Sequence, residues 1–226
     1  MTATPTAPFR VTPRRDGDPV ADVSGMRLAH RTMLRDAGRL TARAEQFAAG
    51  AAGDPGALAA YVRDYADSVH HHHTAEDDVL WPVLVESAGP DVDLDELSDD
   101  HAALVPVLAR LRSAADGFQA RPGEDAATAL AVVLGELRDT LTEHIAEEEA
   151  EVFPVIERHV SVRDWTRVVK AIHRRAKLSF EIPRNVLAAT PEELAAAKAE
   201  GGLPIRVMVA LLVPPFRRRE RAVFGG

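Results

Sequence analysis

The chain has 226 residues, with 27 Lys and Arg against 35 Asp and Glu for a net charge of −8, which argues against a general nucleic-acid binder because such proteins carry a basic excess or stripe. Cysteine is absent, so disulfides, thiolate metal sites and cysteine nucleophiles are excluded, and any metal must be held by His and carboxylate, ligands that suit Fe, Mn or Zn. Apolar content is 46% but aromatic content only 5%, a balance that suits packed helices better than a sheet.

Residues 1–21 are rich in Pro, Thr and Arg without periodicity and are expected to form a flexible arm. They lack the apolar core of a secretory signal, and no apolar run reaches the ~20 residues of a membrane span, so a cytoplasmic protein is expected. From about Val23 to Ala49, Met26, Met33, Leu34, Ala37, Leu40, Ala44 and Phe47 recur at helical spacing. Asp54 and Pro55 are placed to open a second helix, whose face carries Leu58, Tyr61, Val62, Tyr65, Val69, His72, Glu76 and Leu80. After "SAGPDVDLD" a third helix follows with Leu97, His101, Leu104, Val105, Leu108 and Leu111 on one side. A fourth carries Leu130, Val133, Leu134, Leu137, Leu141, His144, Glu148 and Val152. The fold class expected is all-α: an antiparallel up-down-up-down four-helix bundle over residues 22–160. Pro106 is expected to kink the third helix, and Pro82 and Pro154 to kink or end theirs.

Residues 161–226 are expected to form a helical extension. "TPEELAAAKAEGG" opens with a capping box of Thr190 and Glu193 and stops at Gly201. An apolar run then leads to Arg217, Arg218, Arg219 and Arg221. This tail is expected to pack on the bundle end and leave its arginines in water. Contact with an anionic membrane surface is the alternative.

The strongest signal is an internal repeat. "HHTAEDDVLWPVL" (72–84) lies over "HIAEEEAEVFPVI" (144–156) at an offset of 72, pairing His72 with His144, Glu76 with Glu148, Trp81 with Phe153 and Pro82 with Pro154. "HRTMLRDAGRL" (30–40) lies over "HAALVPVLARL" (101–111), pairing His30 with His101. Two copies of one helical hairpin thus carry the same polar residues on apolar stripes. In H-x-x-x-E the two side chains lie one turn apart on the same helix face. Six polar groups in a core are costly unless paired or coordinated, and a metal removes that cost. Two equivalent halves suggest two metals bridged by carboxylates. Asp77, Tyr65 and Glu147 are candidates to hold the far ring nitrogens of the histidines. The clusters "DVDLDELSDD" and "EEEAE" are read as a helix N-terminus and, beyond Glu148, a solvated face. His70 and His71 are expected to face solvent or to stand behind the ligands.

These residues resemble the hemerythrin-like, or HHE cation-binding, domain family over about residues 22–160. His30, His72, Glu76, His101, His144 and Glu148 match the family order, as do the aromatic-Pro endings. The resemblance implies a non-haem centre of two Fe ions bridged by carboxylates and an oxo or hydroxo group. It implies O2, peroxide or NO as the small ligand, in sensing, detoxification or storage, with a peroxide- or NO-reactive activity as one form. Two departures stand out. The oxygen carriers have a second histidine one turn after the one on helix three, where this chain has Val105. They also place the last carboxylate five residues after the helix-four histidine, where this chain has Glu149 behind Glu148. His73 or solvent is expected to fill the missing position. An iron-responsive regulatory module acting through an unknown protein partner is the alternative. A zinc hydrolase is a third reading, weakened because H-E-x-x-H is absent.

Overall fold

The computed structural model describes residues 6–89 and 92–225. Residues 1–5 of the expected arm, and Pro90 and Asp91 of the break after the second helix, lie outside the described residues. Among those described the structure is helical, with no strand. Helix α1 spans Ser24–Ala48 and α2 spans Pro55–Ala75, opened by Asp54, whose side chain accepts from the Ala57 amide. A π-turn at Glu76–Leu80 follows, then α3 (Trp81–Ala88), α4 (Asp95–Ala120) and α5 (Glu124–His159). The remaining helices are α6 (Val162–Arg175), α7 (Leu178–Ala188), α8 (Pro191–Glu200) and α9 (Gly202–Phe224). The capping box at the start of α8 forms as expected, with both Thr190 and Glu193 engaged.

Side-chain bonds fix how the long helices run. Tyr61 donates to Asp36, Tyr65 to the Met33 carbonyl, and His72 meets His30, so α1 descends as α2 ascends. Arg63–Asp116 and Arg112–Asp67 set α2 against α4 in the same opposed sense. Arg110–Glu136 and His144–Asp100 do so for α4 and α5, and α1 packs along α5.

Two prolines lie inside helices that run on past them. α5 continues through Pro154 to His159, and α4 through Pro106. Each proline costs one backbone bond, but the flanking apolar residues Phe153, Ile156, Leu104 and Leu108 are buried and hold the helix in place. Pro82 sits in the first turn of α3, directly after the π-turn.

Two apolar layers share these helices. One holds Met33, Val69, Leu104, Leu141 and Ile145 and runs away from the π-turn. The other holds Met26, Leu80, Leu97 and Val152. Every histidine and glutamate singled out by the repeat falls between the layers. A closed apolar wall thus stands on both sides of a polar slice through the bundle. The first layer is extended by Phe180 of α7 and by Phe216 and Val223 of α9, so the C-terminal helices cover the bundle and Tyr61 lies against Phe180, Phe216 and Phe224. The second layer takes in Val11 and Ala21 from the stretch before α1. There Thr12 N donates to the buried Asp164, and Arg14 N to the His159 carbonyl.

Candidate metal centre

The slice between the layers gathers all six repeat residues and one more. His73, His101 and His144 form one group. His30, His72, Glu76 and Glu148 form another. Within each group, one potential ligand atom from every residue lies within 4.8 Å of the others. All seven are buried except His72, whose side chain is 16% exposed. Glu76 stands between the groups, with Oε1 2.9 Å from His72 Nε2 and Oε2 3.7 Å from His101 Nε2. Glu148 does likewise, with Oε2 3.4 Å from His30 Nε2 and 3.9 Å from His144 Nε2.

The far nitrogens show how the rings are aimed. His101 Nδ1 donates to Asp77 (2.8 Å), His144 Nδ1 to Asp100 (3.3 Å), His30 Nδ1 to Glu149 (3.0 Å) and His73 Nδ1 to the Val69 carbonyl (2.8 Å). With Nδ1 carrying the proton, a neutral ring presents a bare lone pair at Nε2. Two of those lone pairs, on His101 and His144, face each other, and that of His30 faces the His72 ring. His101 Nε2 lies 3.1 Å from His144 Nε2, and His30 Nε2 lies 3.0 Å from His72 Nε2. The buried His73 Nε2 and all four carboxyl oxygens of Glu76 and Glu148 have no hydrogen-bond partner. Facing lone pairs and orphaned buried oxygens are unfavourable unless a cation lies among them.

The repeat explains the supports. Asp77 and Glu149 occupy the same position in the two hairpins, and each orients the stripe histidine of the other hairpin. The aromatic-Pro motif does the same, with Phe153 stacked on His30 at 5.8 Å and Trp81 on His101 at 5.6 Å. His73 breaks the symmetry, because its counterpart is Ile145.

Burial sets the protonation. It pushes His72 and His144 down to about 4 and His73 well below its ordinary value. Burial also pushes Glu76 up to about 7. Burial, with the neighbouring charge of Glu76, pushes Glu148 well up. Glu149 is held below its ordinary value, chiefly by its bond to His30. His72, His73 and His144 are therefore in ligand form, while the carboxyls keep protons that a cation displaces.

Several expectations change here. His73, read as one of two ways to fill a gap, joins His101 and His144. Val105, expected on the apolar side of the third helix, is 51% exposed rather than buried in the core. Of the candidate supports, Asp77 serves, Tyr65 bonds backbone instead, and Glu147 is exposed. Glu149 and Asp100, read as solvated or capping acids, hold His30 and His144. Lining Asp77 over Glu149 at the offset of 72 was the available signal for the first. His70 is exposed, and His71 bonds the Ile172 carbonyl of α6. A cavity of about 130 Å³ reaches His73 and His101 between α2 and α4, past His70, Thr74, Ser98 and Val105.

An all-helical protein with histidine and carboxylate ligands gathered from both halves of an internal repeat is a metal-binding helical domain in class. The chain belongs to the hemerythrin HHE cation-binding domain family, whose model matches residues 21–195. That span extends beyond the expected boundary near residue 160 and takes in α6, α7 and the start of α8. No curated protein and no solved structure matches the chain significantly.

Proposed function

We propose that this chain holds two iron ions in an up-down-up-down bundle and binds or reacts with O2, peroxide or NO. His73, His101 and His144 would hold one ion, His30 and His72 the other, and Glu76 and Glu148 would stand between them as bridging carboxylates. The observation that carries this reading is the convergence of the histidine Nε2 atoms on two carboxylates, four of them on rings whose Nδ1 is already hydrogen-bonded. The donor set is all nitrogen and oxygen, which suits iron. Bound iron supplies redox chemistry toward small oxidants, and the residues do the rest. Asp77, Asp100 and Glu149 hold the ring orientations. The apolar layers exclude water from both sides. The cavity beside His73 admits molecules of a few atoms.

Elemental analysis of protein made in iron-replete cells should give about two Fe per chain. Optical spectra should change when O2, H2O2 or NO is added. Stoichiometric zinc with no iron would overturn the reading. A di-iron protein whose spectrum is indifferent to all three ligands would leave the metal assignment standing and remove the small-ligand function.

A further inference from the structure

We propose that α9 docks the protein on an anionic phospholipid surface. At 100° per residue, Arg206, Arg217, Ala210, Leu203, Arg221, Pro214, Val207, Arg218 and Leu211 fall in order within an arc of about 140°. Every one of them is exposed. Leu203, Val207 and Leu211 are exposed by 72%, 46% and 67%, while Val213, Phe216 and Val223 on the other side are buried against the bundle. The helix therefore has an inner face that is satisfied and an outer face that carries Leu203, Val207 and Leu211 beside Arg206 in its first half and Arg217, Arg218 and Arg221 in its second.

Charge selects the occupant. Residues 161–226 carry 13 Lys and Arg and 6 Asp and Glu, a net +7, while residues 1–160 carry 14 and 29, a net −15. The two halves together give the −8 of the chain. Arg219 and Glu220 are used internally, on Asp64 and on Arg35 and Arg39. Arg206, Arg217, Arg218 and Arg221 make no ion pair among the described residues. Such a dipole turns the extension toward an anionic surface and the acidic bundle away from it. Only an interface offering phosphate and hydrocarbon together matches both halves of the arc, since a nucleic-acid backbone offers nothing to Leu203, Val207 or Leu211. No helix among the described residues is long and apolar enough to cross a membrane, so the contact is peripheral.

The test uses the full metal-loaded chain and vesicles of phosphatidylglycerol with phosphatidylcholine, or of phosphatidylcholine alone. The protein should sediment with the anionic vesicles, stay in solution with the neutral ones, and be released by salt. Combining Arg217→Gln, Arg218→Gln and Arg221→Gln should weaken vesicle binding on the order of 100-fold. Leu203→Ser with Leu211→Ser should weaken it too, with metal content unchanged in both variants. These side chains are exposed, so folding is preserved, and helicity by circular dichroism checks it. Equal binding to neutral vesicles, or none to anionic ones, would overturn the proposal. A chain that ignores vesicles but dimerises, and loses the dimer in the leucine variant, would assign the face to a second copy instead.

Discussion

At the scale of single residues, four histidines in a row have four different surroundings. His70 is exposed, His71 bonds a backbone carbonyl of α6, His72 faces His30, and His73 is buried with an unpartnered Nε2 beside His101 and His144. His73→Ala should weaken metal retention against a chelator and change the optical spectrum, because one imidazole of three is lost. The centre should not empty, since the other ligands remain. His70→Ala should change neither. Metal retention and spectrum both intact in His73→Ala would return the position to solvent. The supporting carboxylates make a second test. Asp77 and Glu149 touch histidines rather than the cation position, yet Asp77→Ala or Glu149→Ala frees a ring to rotate and to change tautomer. Each should cost about 10- to 100-fold in metal affinity by titration against a chelator of known strength. Loss of affinity equal to that of His101→Ala would mean that the carboxylate is itself a ligand.

At the scale of elements, the two hairpins of the repeat differ by the π-turn. Trp81 N–H bonds back to the Glu76 carbonyl, five residues away, so α2 gains a residue just after its glutamate. The matching stretch of α5 covers the same five-residue spacing from Glu148 to Phe153 with no such turn, and all four side chains are buried. The hydrophobic stripes, the H-x-x-x-E pairs and the turns were legible in the chain because they repeat at a fixed offset. The π-turn was not, because one extra residue in a helical ladder leaves no periodicity of its own. His73 stayed open because its counterpart is Ile145. The orientation of His30 by Glu149 spans 119 positions and two hairpins, and only the assembled bundle brings the pair together. The same holds for α7, whose Arg184 is buried and bonds Asp36 of α1 at 2.8 Å, with its guanidinium 4.5 Å from the Phe180 ring. Arg184→Ala leaves Asp36 as a buried charge with Tyr61 its remaining hydrogen-bond partner. It should destabilise the fold by about 3–5 kcal/mol in urea unfolding. A loss below about 1 kcal/mol would mean that water enters and solvates Asp36.

For the whole molecule, metal binding and stability are tied through protons. In the metal-free fold, burial already keeps His72 and His144 neutral above about pH 5 and lowers His73 well below its ordinary value, so they present lone pairs without giving up a proton. The carboxyls behave oppositely. Glu76 is raised to about 7 and Glu148 is raised well above 4.5, so the metal-free fold holds protons that the unfolded chain has already released. A raised acid pKa means that this fold loses stability as pH rises from about 4.5 towards 7, where Glu76 must ionise in a buried place. A bound cation takes both carboxylates in their charged form and removes that loss. Metal uptake near pH 6 should therefore release on the order of one to two protons per chain in unbuffered solution. The gap in melting temperature between metal-loaded and chelated protein should widen from pH 5.5 to pH 8. The sign follows from the carboxyls, because His72 and His144 compete with protons only near and below about pH 4. Calorimetry at the two pH values decides it. A gap that stays constant would show that Glu76 and Glu148 are ionised without the metal, and a gap that narrows would show that the cation is not held by carboxylates.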